Sequence, residues 1–213
     1  MRLAELPKGV RMTQTIKAIE TRYKGYRFRS RLEARWAVFF DAAGLKYEYE
    51  GQGFETKHGG YLPDFFIPDQ ERYIEIKPTA EVSGHDLLRM VEFNGPHSLL
   101  VVCGHPWPGE YKILYPTDGR LVATNKGWIH CPLCGRLQPL SVDMKWDAGV
   151  GVSCWPCDSG RLPLDGWKAD ESTHFHKGFV CFTPTPAVDK QVRPIAAFKS
   201  ARSARFEHGE SPA

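Results

Sequence analysis

The sequence predicts an α/β fold, a mixed sheet flanked by helices, followed by a small module held by metal. Three observations carry this expectation. An amphipathic helix follows Ser30, strand-sized segments broken by a second helix fill 45–115, and two Cys-x-x-Cys pairs sit in a stretch with little apolar periodicity. At 213 residues the chain has room for one sizeable core plus a small appendage.

Each element has a local reason. Residues 1–22 are basic and weakly patterned, and read as an arm. Ser30 can cap a helix, with Glu33 completing a capping box. Leu32, Trp36, Phe39, Phe40 and Ala43 fall on one helical face, and Gly44 stops the helix. Leu45, Tyr47 and Tyr49 alternate with Lys46, Glu48 and Glu50, the period of a half-buried strand. A Gly-rich passage, 51–60, holds a short strand at 54–56. Runs 61–67 and 72–77 follow, separated by a turn at Pro68–Glu71, and Pro78 ends the second run. A second helix is expected over 86–93, a strand buried on both faces over 98–103, and another strand over 111–115.

Composition bounds the rest. The start, MRLAELPKGV, lacks the apolar run of a signal peptide, and no stretch approaches the ~18–20 apolar residues of a membrane span, so a cytoplasmic protein is expected. The net charge is only +3, but Met1 to Trp36 carries ten Lys/Arg against three Glu. Such a segment suits a phosphate-rich partner, and equally a solvated arm.

The hairpin 61–77 is the most informative stretch. A turn centred between Asp69 and Gln70 pairs Phe65 with Ile74 and sets Asp64 opposite Glu75, with Cβ atoms about 4.5–5.5 Å apart. Alternation sends Phe65, Ile67, Ile74 and Ile76 to the core and Asp64, Glu75 and Lys77 to the other face. Opposed carboxylates repel. Lys77 offsets part of that, and a divalent cation would offset more, because Mg²⁺ takes a few carboxylates, waters and phosphate oxygens. Such an ion generates hydroxide and steadies phosphoryl charge. An ordinary cross-strand salt bridge on a solvated face is the competing reading.

Pro63-Asp64, ten intervening residues and Glu75-Ile76-Lys77 together resemble the signature of the PD-(D/E)XK nuclease superfamily. Tyr23–Ala37, YKGYRFRSRLEARWA, is similar to the Tyr-x-Gly-x-x-Phe-Arg-Ser-x-x-Glu-x-x-Trp-Ala segment of a phage-like branch. The resemblance spans about residues 20–116. It implies a restriction-endonuclease-like αβββαβ core with a mixed sheet over 23–120 and Mg²⁺- or Mn²⁺-dependent cleavage of DNA, duplex or branched. Under it, Asp64, Glu75 and the Ile76 carbonyl would hold the metal, Lys77 would be the catalytic lysine, and Glu33 would reach the site from the first helix. The capping role of Glu33 competes with that. Arg29, Arg31 and Arg35 would either contact phosphates or be plain helix charges. His58 and His85 are given no role. A non-catalytic DNA-binding protein, and a nuclease subunit active only within a recombination, repair or transposition complex, stand as alternatives. An oligomer is compatible with either.

Cys131, Cys134, Cys154 and Cys157, with nineteen residues between the pairs, have the spacing of a four-thiolate zinc site. The module, placed at 125–186, resembles a zinc ribbon, and its closed shell implies structural Zn²⁺. Trp128, Trp146 and Trp155 with Lys126, Arg136 and Lys145 form either a nucleic-acid surface or a minimal core. The tail, 187–213, is expected to be poorly ordered.

Overall fold

The computed structural model describes residues 18–82, 84–108, 110–117, 119–130, 137–146, 149–153, 173–176, 179–182 and 194–206. It shows a mixed α/β protein. The described residues open with a hairpin, β1 (Thr21–Tyr23) and β2 (Tyr26–Phe28). Helix α1 (Arg31–Ala42) follows, then β3 (Glu48–Tyr49), the hairpin β4 (Phe54–Thr56) and β5 (Gly59–Tyr61), β6 (Phe65–Ile67), a 3₁₀ turn (Pro68–Gln70) and β7 (Arg72–Lys77). After α2 (Gly84–Val91) come β8 (Ser98–Cys103), β9 (Glu110–Thr117), β10 (Arg120–His130), β11 (Leu137–Trp146), β12 (Gly149–Ser153), β13 (Thr173–His176) and β14 (Phe179–Phe182). Helix α3 (Ile195–Ser203) comes last.

Helix α1 is fixed at both ends by its sequence. Ser30 has extended backbone and its Oγ accepts the Glu33 N–H. At the other end the Gly44 N–H bonds to Asp41 O and the Leu45 N–H to Phe40 O, with Gly44 at φ +73°. That is a Schellman closure, which needs a residue free to be left-handed.

The main sheet runs β13-β14-β12-β11-β10-β9-β8-β7-β6-β3. The six strands β10 to β3 carry the core, and β7–β8 is their parallel pair, joined by the α2 crossover. The β6–β7 register matches expectation, with Phe65 opposite Ile74. Alternation along β7 and β8 divides the buried residues into two layers. Ile74, Ile76, Leu100 and Val102 face α1, whose Trp36, Phe39 and Phe40 pack with Phe28 and Phe65. Tyr73, Leu99 and Val101 meet Tyr61 and Met90 on the opposite face.

Four expectations change. The face of β7 that carries Glu75 is not a solvated outer face but a second buried layer under α2 and β5. The run 61–67 is broken at 62–64, because Tyr61 pairs with Phe54 while Phe65 pairs with Ile74. The expected boundary at 120–125 falls inside β10, which continues the main sheet beside β9 and β11. Trp128 on β10 is 1% exposed and packs on Trp36, Phe39 and Phe40, so it belongs to the main core. Finally, the segment expected as a tail holds α3, whose Phe198 stacks on Phe39 at 4.6 Å. Ala197, Phe198 and Ala201 give α3 a narrow apolar face that lets it approach α1 closely. No helix among the described residues is long and apolar enough to cross a membrane.

Candidate functional site

Three acidic side chains from three elements are buried around one cleft. Glu33 comes from the first turn of α1, Asp64 from the residue before β6, and Glu75 from the middle of β7; they are 8%, 2% and 5% exposed. The cleft has a volume of about 990 Å³ and is lined by these three with Lys77, Ile76, Arg29, Arg31, Tyr61, Asp86, Arg89 and His105, among others.

Asp64 owes its place to the way β6 begins. Beyond Phe65 the β6–β7 ladder stops, so the Ile76 N–H lacks a strand partner from β6. Asp64 Oδ2 accepts that N–H at 2.7 Å, while Oδ1 takes Arg29 Nη2 at 2.6 Å. Glu75 is inward on β7 by parity. Its Oε1 meets Lys77 Nζ at 2.9 Å and its Oε2 accepts the Tyr61 hydroxyl at 3.0 Å. Lys77 also pairs with Asp86 of α2 at 3.0 Å. Glu33 supports the Ser30 cap, though its carboxylate takes the Arg29 N–H and Ser30 Oγ in place of the Ser30 N–H of the predicted capping box, and it lines the cleft at the same time. Its carboxylate accepts Ser30 Oγ at 2.6 Å, the Tyr49 hydroxyl at 2.6 Å and the Arg29 N–H at 3.1 Å. The two roles coexist on one side chain.

The electrostatics show a site short of positive charge. Burial, then Glu75 and Glu33, push the Asp64 carboxyl well above the ordinary value, despite Arg29. Burial also raises Glu75, against the pull of Lys77 and Tyr61. Burial would lower Lys77, but Glu75 and Asp86 outweigh it and hold the ammonium above its usual range. Tyr61 is raised by burial and by Glu75, which keeps its hydroxyl a donor. Desolvated carboxylates in this state favour a proton or an additional cation.

The arrangement does not by itself form a finished metal site. Among the described residues no group of three or more His, Cys, Asp or Glu side chains is positioned to hold a metal ion. The donor chemistry nonetheless fits a hard divalent cation: buried carboxylate oxygens, a neighbouring backbone carbonyl and an open, wettable cleft. Arg29 and Lys77 occupy the negative charge that such an ion would take.

The three arginines part company. Arg29 reaches Asp64 and Glu50. Arg31 lines the cleft, and its buried Nε has no hydrogen-bond partner. Arg35 points away from the carboxylates and donates to Ala201 O and Arg202 O of α3, a structural contact. His58 sits beside Glu92, and neither it nor His85 lines the cleft. Sequence reasoning missed Tyr49, Tyr61 and Asp86. The first two read as apolar strand residues, and only their hydroxyls, which need partners when buried, gave a signal. Cys131, Cys134, Cys154, Cys157, Arg136 and Trp155 lie outside the described residues, as do residues 1–17 and the side chains of Lys126, Lys145 and Trp146.

No protein-family profile, characterised protein or solved structure matches the chain.

Proposed function

We propose that this protein is a nuclease of the PD-(D/E)XK type that hydrolyses DNA phosphodiester bonds with Mg²⁺ or Mn²⁺. The observation that carries the reading is the burial of Asp64, just before β6, and of Glu75, within β7, with Lys77 against Glu75, on the wall of one large cleft. Burying carboxylates costs stability, and a fold retains such a cluster where a function uses it. The strand order around it, with α1, a β3-β6-β7 antiparallel ribbon, α2 and a parallel β8, is compatible with a restriction-endonuclease-like αβββαβ core.

Asp64, Glu75 and the Ile76 carbonyl would hold the ion, with Glu33 joining directly or through water. Such an ion supplies a hydroxide-level nucleophile and a Lewis acid at the phosphoryl oxygen. The chain's own residues do the rest. Lys77 orients the attacking water or carries developing negative charge, and Tyr61 keeps Glu75 in place by hydrogen bonding to its second oxygen. The Arg31 and Arg89 side chains line the cleft, and their guanidinium groups suit a phosphate oxygen.

One observation favours a licensed form of this activity. With Asp64 tied to Arg29 and Glu75 to Lys77, the carboxylates must be released before a metal is fully bound. A DNA phosphate or a partner subunit that draws Arg29 away would complete the site. The four cysteines are assigned to a structural Zn²⁺ in a ribbon-like module, on their spacing.

The test is nicking of supercoiled plasmid and cleavage of branched DNA, with Mg²⁺, Mn²⁺ or EDTA, beside Asp64→Ala and Lys77→Ala. Metal-dependent cleavage lost in both folded variants supports the site. Cleavage that survives Asp64→Ala would place the chemistry elsewhere, and DNA binding without cleavage in any metal would favour the non-catalytic reading.

A further inference from the structure

A second, smaller hollow of about 280 Å³ adjoins the cleft, lined by Arg35, His105, Pro106, Trp107, Ala201 and Arg202. His105 lines both spaces. Trp107 is 53% exposed, an unusual placement for the largest apolar side chain in a protein that buries Trp36 and Trp128 almost completely. The Arg202 guanidinium lies over its ring, 4.8 Å from the centroid.

This surface is tied to β7 by backbone hydrogen bonding. The loop after β8 is fastened at Gly104, whose N–H bonds to Lys77 O at 2.8 Å and whose carbonyl accepts Trp36 Nε1 at 2.9 Å. Gly104 has φ +94°, a conformation closed to most other residues. Pro106 and Pro108 bracket Trp107 and restrict the backbone on either side. Arg35 fixes the other wall by holding the Ala201 and Arg202 carbonyls. The indole and its cation therefore stand only three residues from a direct hydrogen bond to the backbone of Lys77.

We propose that Trp107, Arg202 and His105 form a stacking platform for one unpaired nucleotide of a DNA substrate. Every base has a π-face that an exposed indole can take, and the adjoining guanidinium suits the nucleotide's phosphate. A base still paired inside a duplex cannot reach such a hollow. The platform thus directs the enzyme to DNA with a single-stranded segment beside the cleavage site, such as a flap, a gap or a branch point, over continuous duplex. The inference rests on the proposal that the cleft takes DNA.

The experiment is fluorescence-anisotropy binding of the full-length protein to a labelled flap DNA and to a continuous duplex of equal length, with Ca²⁺ replacing Mg²⁺, for wild type, Trp107→Ala, Trp107→Phe and Arg202→Ala. Trp107→Ala is expected to weaken flap binding about 5- to 150-fold, the range for one stacked base, with duplex binding little changed. Trp107→Phe should retain most of the preference and Arg202→Ala should lose part of it. Unchanged flap affinity in Trp107→Ala overturns the platform. So does an equal loss on both DNAs with a lowered melting temperature, which would make Trp107 a staple for α3. Wild type that cleaves plasmid but shows no flap preference removes the platform alone, whereas wild type that neither binds nor cleaves DNA removes the nuclease reading with it.

Discussion

Replacing Phe198 with alanine tests whether the last helix belongs to the core that shapes the site. Phe198 is 2% exposed and stacks on Phe39 at 4.6 Å with an interplanar angle of 28°. Ala197 and Ala201 on the same face are 2% and 0% exposed and too small to fill the space. Removing a buried phenylalanine from such a setting costs about 3–5 kcal/mol, transfer and cavity together. For a chain of this size about 1 kcal/mol corresponds to 2–4 °C, so Tm should fall by about 6–20 °C. Calorimetry and urea denaturation, with Lys199→Ala as an exposed control on the same helix, measure it. Because Arg35 and α3 jointly hold Arg202, the variant should also lose part of any flap preference before global unfolding. A loss below about 1 kcal/mol, within reach of an ordinary surface change, would refute the docking of α3 and the platform wall built on it.

Metal-free protein should be stabilised by mild acid. Asp64 and Glu75 have folded pKa values raised above 3.8 and 4.5, chiefly by burial, so the folded state holds protons that the unfolded chain gives up. Their stabilising contribution is complete below the unfolded values and is lost as pH rises through the folded ones. Melting curves in EDTA across that window should show the decline, Asp64→Asn should flatten it, and Mg²⁺ should raise Tm more at neutral pH than in acid; parallel curves for wild type and variant would contradict the assignment. Tyr49→Phe removes the 2.6 Å donor to Glu33 and should cost about 1.5–3 kcal/mol by denaturation, with a measurable loss of cleavage if Glu33 serves the metal. The buried Cys103 thiol is pushed up to about 11 by burial, partly countered by Lys112 and Lys77, so peptide mapping after brief iodoacetamide treatment at pH 8 should find it unmodified in native protein and alkylated in urea.

Much of the layout was legible because it is local. The Ser30–Glu33 cap, the Gly44 stop and the strand 98–103 follow from nearest-neighbour geometry and apolar period, and the β6–β7 register follows from the position of its turn. The approach of Asp64 to β7 was legible only in part, because the turn sets Phe65 opposite Ile74 but the ladder ends there, and Asp64 reaches β7 through the Ile76 N–H instead of by pairing with Glu75. What lay beyond reach was everything set by non-local packing. Alternation separates the two faces of a strand but does not say what covers each, and the competing reading of a solvated face for Glu75 gives way because α2 and Tyr61 enclose it. The C-terminal segment gave too narrow an apolar stripe, Ala197, Phe198 and Ala201, to stand out from a polar tail, and it becomes a helix because α1 offers Phe39 to pack against. Trp128 likewise joins the main core through three aromatic neighbours brought from α1. By itself the sequence determined the α/β class, the first helix, the hairpin and the charged groups that the hairpin gathers. Only the tertiary structure decided that those charges are buried, that Arg29 and Lys77 hold them, and that Trp107 stands beside them, because burial and long-range contact are properties of surfaces that meet, not of neighbours in the chain.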